Sequence, residues 1–160
     1  MGSGKSSVGR EIAKTLGMNF VDTDVSIEQS EGIKISEMFE KHGESYFRNL
    51  ETEFCKNIVN IKNSVISTGG GIVLREENIE YLKKNAIIFL LRADADTIYG
   101  RIMHSKERPL LQVENPLEKI KEMLAAREEK YAKSYDIEII TDGKSVFEIV
   151  NEIKEIYIKE

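Results

Sequence analysis

Apolar residues along this chain follow two spacings. In Ser64-Val65-Ile66-Ser67, Ala86-Ile87-Ile88-Phe89-Leu90-Leu91 and Ile137-Glu138-Ile139-Ile140 they are nearly consecutive, which predicts short buried strands. Elsewhere they return at steps of three and four. Phe47, Leu50, Phe54, Ile58 and Ile61 do so, and predict one buried helical stripe. Read from the start, Ser6 to Leu16 is a helix stopped by Gly17, and Asn19-Phe20-Val21 is a strand running into the turn Asp22-Thr23-Asp24. Helices over about 34–42 and 44–62 are separated by Gly43. The strand at 64–67 stops at Thr68-Gly69-Gly70-Gly71. A helix near 75–84 leads into the run at 86–91, which is apolar on both faces and suits the centre of a parallel sheet. A helix over about 95–103 ends in the polar stretch His104 to Asn115. Pro116 opens a helix to about 133, and Val146 to Ile158 is the closing helix.

Strands that alternate with helices imply right-handed crossovers and an open three-layer α/β/α sandwich. Ligands in such folds bind beyond the carboxyl ends of the strands. The turn at Asp22 and the triple glycine therefore project to one edge of the sheet. At 160 residues the chain predicts one domain with a real core, and 41% hydrophobic with 32% charged residues is an ordinary globular composition. No apolar run approaches the ~20 residues of a membrane span, and no cleavable leader is recognisable. Cys55 stands alone and lies among helical apolar residues, so it reads as a half-buried structural thiol in a reducing cytoplasm. His42 and His104 have no Cys or second His at metal-ligand spacing, which argues against a zinc site. A net charge of −5 argues against nucleic-acid binding, so anionic ligands must be held by a few placed cations.

The candidate chemistry begins at Gly2-Ser3-Gly4-Lys5-Ser6-Ser7, the downstream half of a phosphate loop of the form G-x-x-x-x-G-K-[ST]. In that loop backbone N–H groups wrap phosphates, the lysine neutralises them and the hydroxyl ligates Mg²⁺. Lys5 and Ser6 take those roles. Asp22 has two readings: a carboxylate partner on the metal side, or a helix cap, and the cap reading is open for Asp24 as well. Gly69-Gly70-Gly71 is either a tight strand-to-helix turn or a place where a ligand approaches the backbone closely. Arg48 follows Phe47 on the amphipathic helix. Arg127 shares a face with Ile120, Leu124 and Tyr131, and Arg108 lies in the polar segment before Pro116. Each is either a surface ion-pair partner or a guanidinium fork for carboxylate or phosphate, and a mobile Arg108 suits a closing lid.

Taken together, Gly2 to Gly9, Asp22-Thr23-Asp24, Phe47-Arg48, Thr68 to Gly71, Arg108-Pro109-Leu110-Leu111 and Arg127 resemble shikimate kinase over essentially the whole chain, with the motifs in family order. The resemblance implies a P-loop NTPase fold with a central parallel sheet of order 2-3-1-4-5. It also implies transfer of the ATP γ-phosphate to the 3-hydroxyl of shikimate, in aromatic amino-acid biosynthesis, by a cytoplasmic monomer. By the same resemblance Asp24 holds the reacting hydroxyls and orients or deprotonates the 3-hydroxyl. Arg48 and Arg127 clamp the carboxylate, and Gly70 and Gly71 complete the pocket. Phe39 and Phe47 offer an apolar wall, which core packing explains as well. Lys5 and Arg108 neutralise the moving phosphoryl group. Ser6 binds Mg²⁺ directly and Asp22 acts through its water shell. Arg101 matches a position against adenine. The substrate-binding helical part is expected over about 24–62 and the lid over about 104–115.

One departure matters. The family's first strand and first phosphate-loop glycine would precede Met1. The expectation is that Met1 is an internal methionine of a longer chain, and that a chain beginning there folds poorly and binds ATP weakly. Two rivals remain: a gluconate-kinase-like enzyme on the same plan, and an inactive ATP-binding module.

Overall fold

This computed structural model describes residues 2–103 and 114–159. Arg108, His104 and most of the expected lid lie outside the described residues. The elements are α1 (Lys5–Leu16), β1 (Asn19–Asp22), α2 (Thr23–Glu31), α3 (Ile35–His42), α4 (Glu44–Asn57), β2 (Ser64–Ser67), α5 (Glu76–Asn85), β3 (Phe89–Arg92), α6 (Ala95–Ile102), α7 (Pro116–Ala132), β4 (Ile137–Ile140) and α8 (Val146–Tyr157).

Period-two alternation explains the layering. Val65 packs against the cluster built from Val8, Ile12, Leu91, Ile139, Ile149 and Ile153, so this side of β2 faces α1 and α8. Its neighbour Ile66 packs against Cys55, Ile58, Ile72, Val73 and Leu82, on the side of α4 and α5. Consecutive strand residues thus meet opposite helical layers, as a sheet buried on both faces requires. Two smaller clusters extend the core. Ile98, Ile102 and Ile120 join α6 to α7, while Ile27, Met38 and Phe47 join α2, α3 and α4.

The strands form two separate parallel pairs rather than one sheet. β1 pairs with β2 from Asn19↔Ser64 to Asp22↔Ser67, and β3 pairs with β4 from Phe89↔Ile137 to Arg92↔Ile140. Between the pairs lies a cavity of about 880 Å³ lined along the whole of β2 and β3. The two pairs correspond to 2-3 and 4-5 of the expected order 2-3-1-4-5.

Three element boundaries differ from the sequence reading. Asp22-Thr23-Asp24 is not a turn but the cap and first turn of α2, which buries only Thr23 and Ile27 and so shows little periodicity. α4 ends at Asn57 and gives way to a single 3₁₀ turn, Ile58–Asn60. Its buried side is Phe47, Glu51, Thr52 and Cys55, not the Leu50–Phe54 line, with Glu51 Oε2 bonded by Arg48 and the Thr52 hydroxyl bonded to the Arg48 carbonyl. The third strand's ladder starts only at Phe89. Ile88 ahead of it is tied to Asp136, whose carboxylate accepts from the Ile88 N–H.

Candidate active site

The phosphate loop enters α1 through two left-handed glycines, Gly2 at φ 72° and Gly4 at φ 91°, conformations that a side chain would strain. The first amides of α1 lack intrahelical partners and form an anion site at Lys5 and Ser6. One cavity of about 690 Å³ gathers Gly2 to Ser7, Asp22, Asp24, Gly70 and Arg101, with Lys144 and Val146 at the far wall. Lys5 and Asp24 thus face the same space.

Asp22 caps α2 and also reaches the phosphate loop. Its Oδ1 caps α2, accepting from the Asp24 and Val25 N–H groups at 3.1 and 3.4 Å. Its Oδ2 accepts from the Ser6 hydroxyl at 3.0 Å, on the phosphate side. A hydroxyl backed by a carboxylate is a hard-oxygen donor set that suits Mg²⁺, with Ser6 as the residue that would ligate it and Asp22 placed to accept from a bound water. Among the described residues no cluster of three His, Cys, Asp or Glu side chains could hold a metal alone.

Asp24 follows on α2 with Oδ1 buried and without a hydrogen-bond partner. Burial pushes its carboxyl above the usual range and the charge of Asp22 adds to this, while Lys5 and Arg48 pull it down. Opposite it on α4, Arg48 donates through Nε and Nη2 to Glu44 at 3.0 and 2.8 Å, and through Nη1 to the fully buried Glu51 at 2.6 Å. Burial likewise raises Glu51, and its Oε1 has no partner. Arg75 braces the same turn by donating to the Arg48 carbonyl and the Thr52 hydroxyl, each at 3.1 Å.

The triple glycine threads between these groups. A Cβ on Gly69 would sit 2.8 Å from Asp24 Oδ1, and one on Gly71 would overlap the Arg48 guanidinium. The close approach that glycine permits is therefore made by the protein's own side chains. The Gly69 N–H donates to Thr23 Oγ1 at 3.1 Å. The Gly70 carbonyl accepts from Arg127 Nη1 at 3.3 Å and from the Tyr131 hydroxyl at 3.0 Å, which ties α7 to the pocket rim. Arg101 is held by Thr141, donating to its hydroxyl at 3.0 Å and its carbonyl at 2.7 Å.

Every described candidate except Phe39, Phe47, Arg48, Gly71 and Arg127 lines this cavity, and Arg48, Gly71 and Arg127 adjoin it through the glycine run. Four contributors were not singled out in the sequence: Glu51, Thr23, Tyr131 and Lys144. Glu51 had a readable signal, a charge on the buried face of α4 three residues after Arg48. Phe47 is core, in contact with Phe39 at 5.4 Å between ring centroids, and only Phe39 is exposed. Cys55 is fully buried and its thiol is pushed up to about 12 by burial and then by Glu51, which leaves it inert. Among the described residues no helix is long and apolar enough to cross a membrane.

A phosphate loop opening the first helix, parallel strands and an acid beside the lysine together define a P-loop phosphotransferase. The family model described as shikimate kinase matches residues 1–157. The shikimate kinase of Thermodesulfovibrio yellowstonii is 50% identical over 153 residues, covering 96% of this chain and 88% of that protein. A solved shikimate kinase from Acinetobacter baumannii, in complex with shikimate, superposes with a TM-score of 0.91 at 35% identity, covering 99% of this chain and 89% of its own. The chain belongs to the shikimate kinase family, and is an ATP-dependent kinase. A gluconokinase from Sinorhizobium meliloti is similar at 17% identity with a TM-score of 0.61, a likeness of fold alone.

Proposed function

We propose that the cavity holds the phosphate end of ATP beside shikimate, so that the γ-phosphoryl group passes to the shikimate 3-hydroxyl and leaves shikimate 3-phosphate and ADP. The observation that carries this reading is the shared pocket of Lys5 and Asp24. Phosphoryl transfer demands positioning and charge neutralisation more than covalent help. Amides of Gly2 to Ser7 cradle the phosphates, and Lys5 offsets their charge. Asp24 accepts hydrogen bonds from the vicinal hydroxyls and takes the proton of the 3-hydroxyl. The orphaned Oδ1 of Asp24 supports that role, since a buried acceptor without a donor awaits one.

Arg48 and Arg127 receive the carboxylate from two sides, with the Gly70 and Gly71 backbone between them. Glu51 holds the Arg48 fork in place from behind. Arg101 lies along the adenine, and Arg108 is assigned to the moving phosphoryl group on its sequence match alone. Ser6 ligates Mg²⁺ and Asp22 meets it through water. The ion, when bound with ATP, neutralises phosphate oxygens. The helical part over about 24–62 forms the substrate side and the segment about 104–115 the lid. The chain works as a cytoplasmic monomer, a setting that its lone buried Cys55 supports.

Coupled ADP release tests the reading. Turnover should require shikimate and be absent with gluconate, and Asp24→Asn should lower kcat far more than it weakens ATP binding. Preference for gluconate, or full turnover in Asp24→Asn, would refute it.

A further inference from the structure

Gly69 to Ile72 form a tight turn, closed by the Ile72 N–H, which donates to the Gly69 carbonyl at 3.2 Å. Gly71, the third residue of the turn, stands at φ −88° and ψ −5°, the values of a type I turn. A type II turn follows nearly the same path with its central peptide, here Gly70–Gly71, turned over. It needs a positive φ at the third residue, which glycine takes without strain. In most turns a side chain at that position excludes the second form. Here glycine removes that bias, so another contact must select between the two.

That contact comes from α7. Arg127 and Tyr131 lie four residues apart, on one face of the helix, and both donate to the Gly70 carbonyl, at 3.3 and 3.0 Å. The peptide is planar and trans, so a carbonyl held toward α7 aims the Gly71 N–H away from it. Gly71 itself lies against the Arg48 guanidinium. In the type I form this peptide offers a carboxylate beside Arg48 a donor. Turned over, it would offer a carbonyl oxygen, which repels an anion.

We propose that Tyr131 is a positioning residue for shikimate: its hydroxyl locks the Gly69–Ile72 turn in the type I form and so keeps the Gly71 N–H available to the substrate carboxylate. The two bonds to Gly70 are not equivalent. Arg127 is drawn away by the carboxylate, and its bond is the longer. Tyr131 carries no charge, and its ring packs on the cluster around Ile72 and Leu82, so its hydroxyl stays with Gly70 when substrate enters. The role rests on the carboxylate reading of Arg48 and Arg127.

Tyr131→Phe removes the hydroxyl and keeps the ring. Glycine labelled with ¹⁵N and carbonyl ¹³C reports the turn directly. The sequence has one Gly–Gly run, so of its 11 glycines only Gly70 and Gly71 give an amide signal coupled to a labelled preceding carbonyl. In the type I form the Gly70 and Gly71 amide protons lie close and cross-relax strongly. In the type II form the Gly71 amide proton lies close to the Gly70 α-protons instead. The wild type should show the first pattern with no substrate bound. Tyr131→Phe should show the second or a mixture, and saturating shikimate should restore the first. Its shikimate KM should rise about three- to tenfold, the worth of one hydrogen bond, with the ATP KM in place. The type II pattern in the wild type, the type I pattern in Tyr131→Phe, an unmoved shikimate KM, or equal rises in both KM values would each overturn the proposal. A turn that flips as described in a protein without shikimate turnover would instead overturn the reading of the site on which the role is built.

Discussion

At the residue scale the site is organised by two carboxylates that share a dry wall with one guanidinium. Glu51 is fully buried and still bonds Arg48, so removing it would strip the fork of its inner anchor. Burial lifts the Glu51 carboxyl above its ordinary value of 4.5. A carboxyl raised in the fold contributes stability that is complete below the unfolded value and is lost as pH climbs through the folded one. In Glu51→Gln that dependence disappears. The difference in urea unfolding free energy should therefore move in favour of the variant as pH rises from about 4 to 8. Movement the other way would mean that Arg48, not burial, governs this carboxyl. Gly71 offers a second test. Its φ of −88° suits any residue, so Gly71→Ala is not strained, but the new methyl displaces the Arg48 guanidinium. With a charge-assisted bond of about 1.5–3 kcal/mol at stake, the shikimate KM should rise about tenfold or more while the ATP KM holds. An unchanged shikimate KM would remove Arg48 from carboxylate binding.

At the element scale, consecutive apolar residues located the strands but did not always bound them: the run 86–91, apolar on both faces, pairs only from Phe89. Ser64–Ser67 and Ile137–Ile140 emerge with the bounds their consecutive apolar residues suggest. α2 was not legible, because a helix that buries one residue per turn leaves no stripe, and its capping Asp22 looked equally like a metal partner. The buried face of α4 was displaced for a related reason. Glu51 and Thr52 lie inside bonded to Arg48 and Arg75, and a pattern of apolar residues does not reveal such pairings. The phosphate loop, Asp24 and Gly70 come to one cavity because each sits where a strand or helix begins or ends.

At the scale of the whole molecule, a chain with net charge −5 concentrates Lys5, Arg101 and Lys144 around one cavity, with Arg48 and Arg127 bordering it. Two rigid supports aim these cations. α1 and α8 pack together over β3 and β4, holding the phosphate loop. α7 reaches across to Gly70 through Arg127 and Tyr131, so the carboxylate side is braced from a different layer. The central claim is that donor and acceptor meet directly in this space, with Lys5 at the phosphate and Asp24 at the hydroxyl. Phosphorus–proton correlation on the product of a reaction with ATP and shikimate tests it most directly. The account predicts one phosphate ester, its phosphorus coupled to the proton on carbon 3 and formed in step with ADP. Phosphate on another hydroxyl, or free inorganic phosphate in place of the ester, would contradict it.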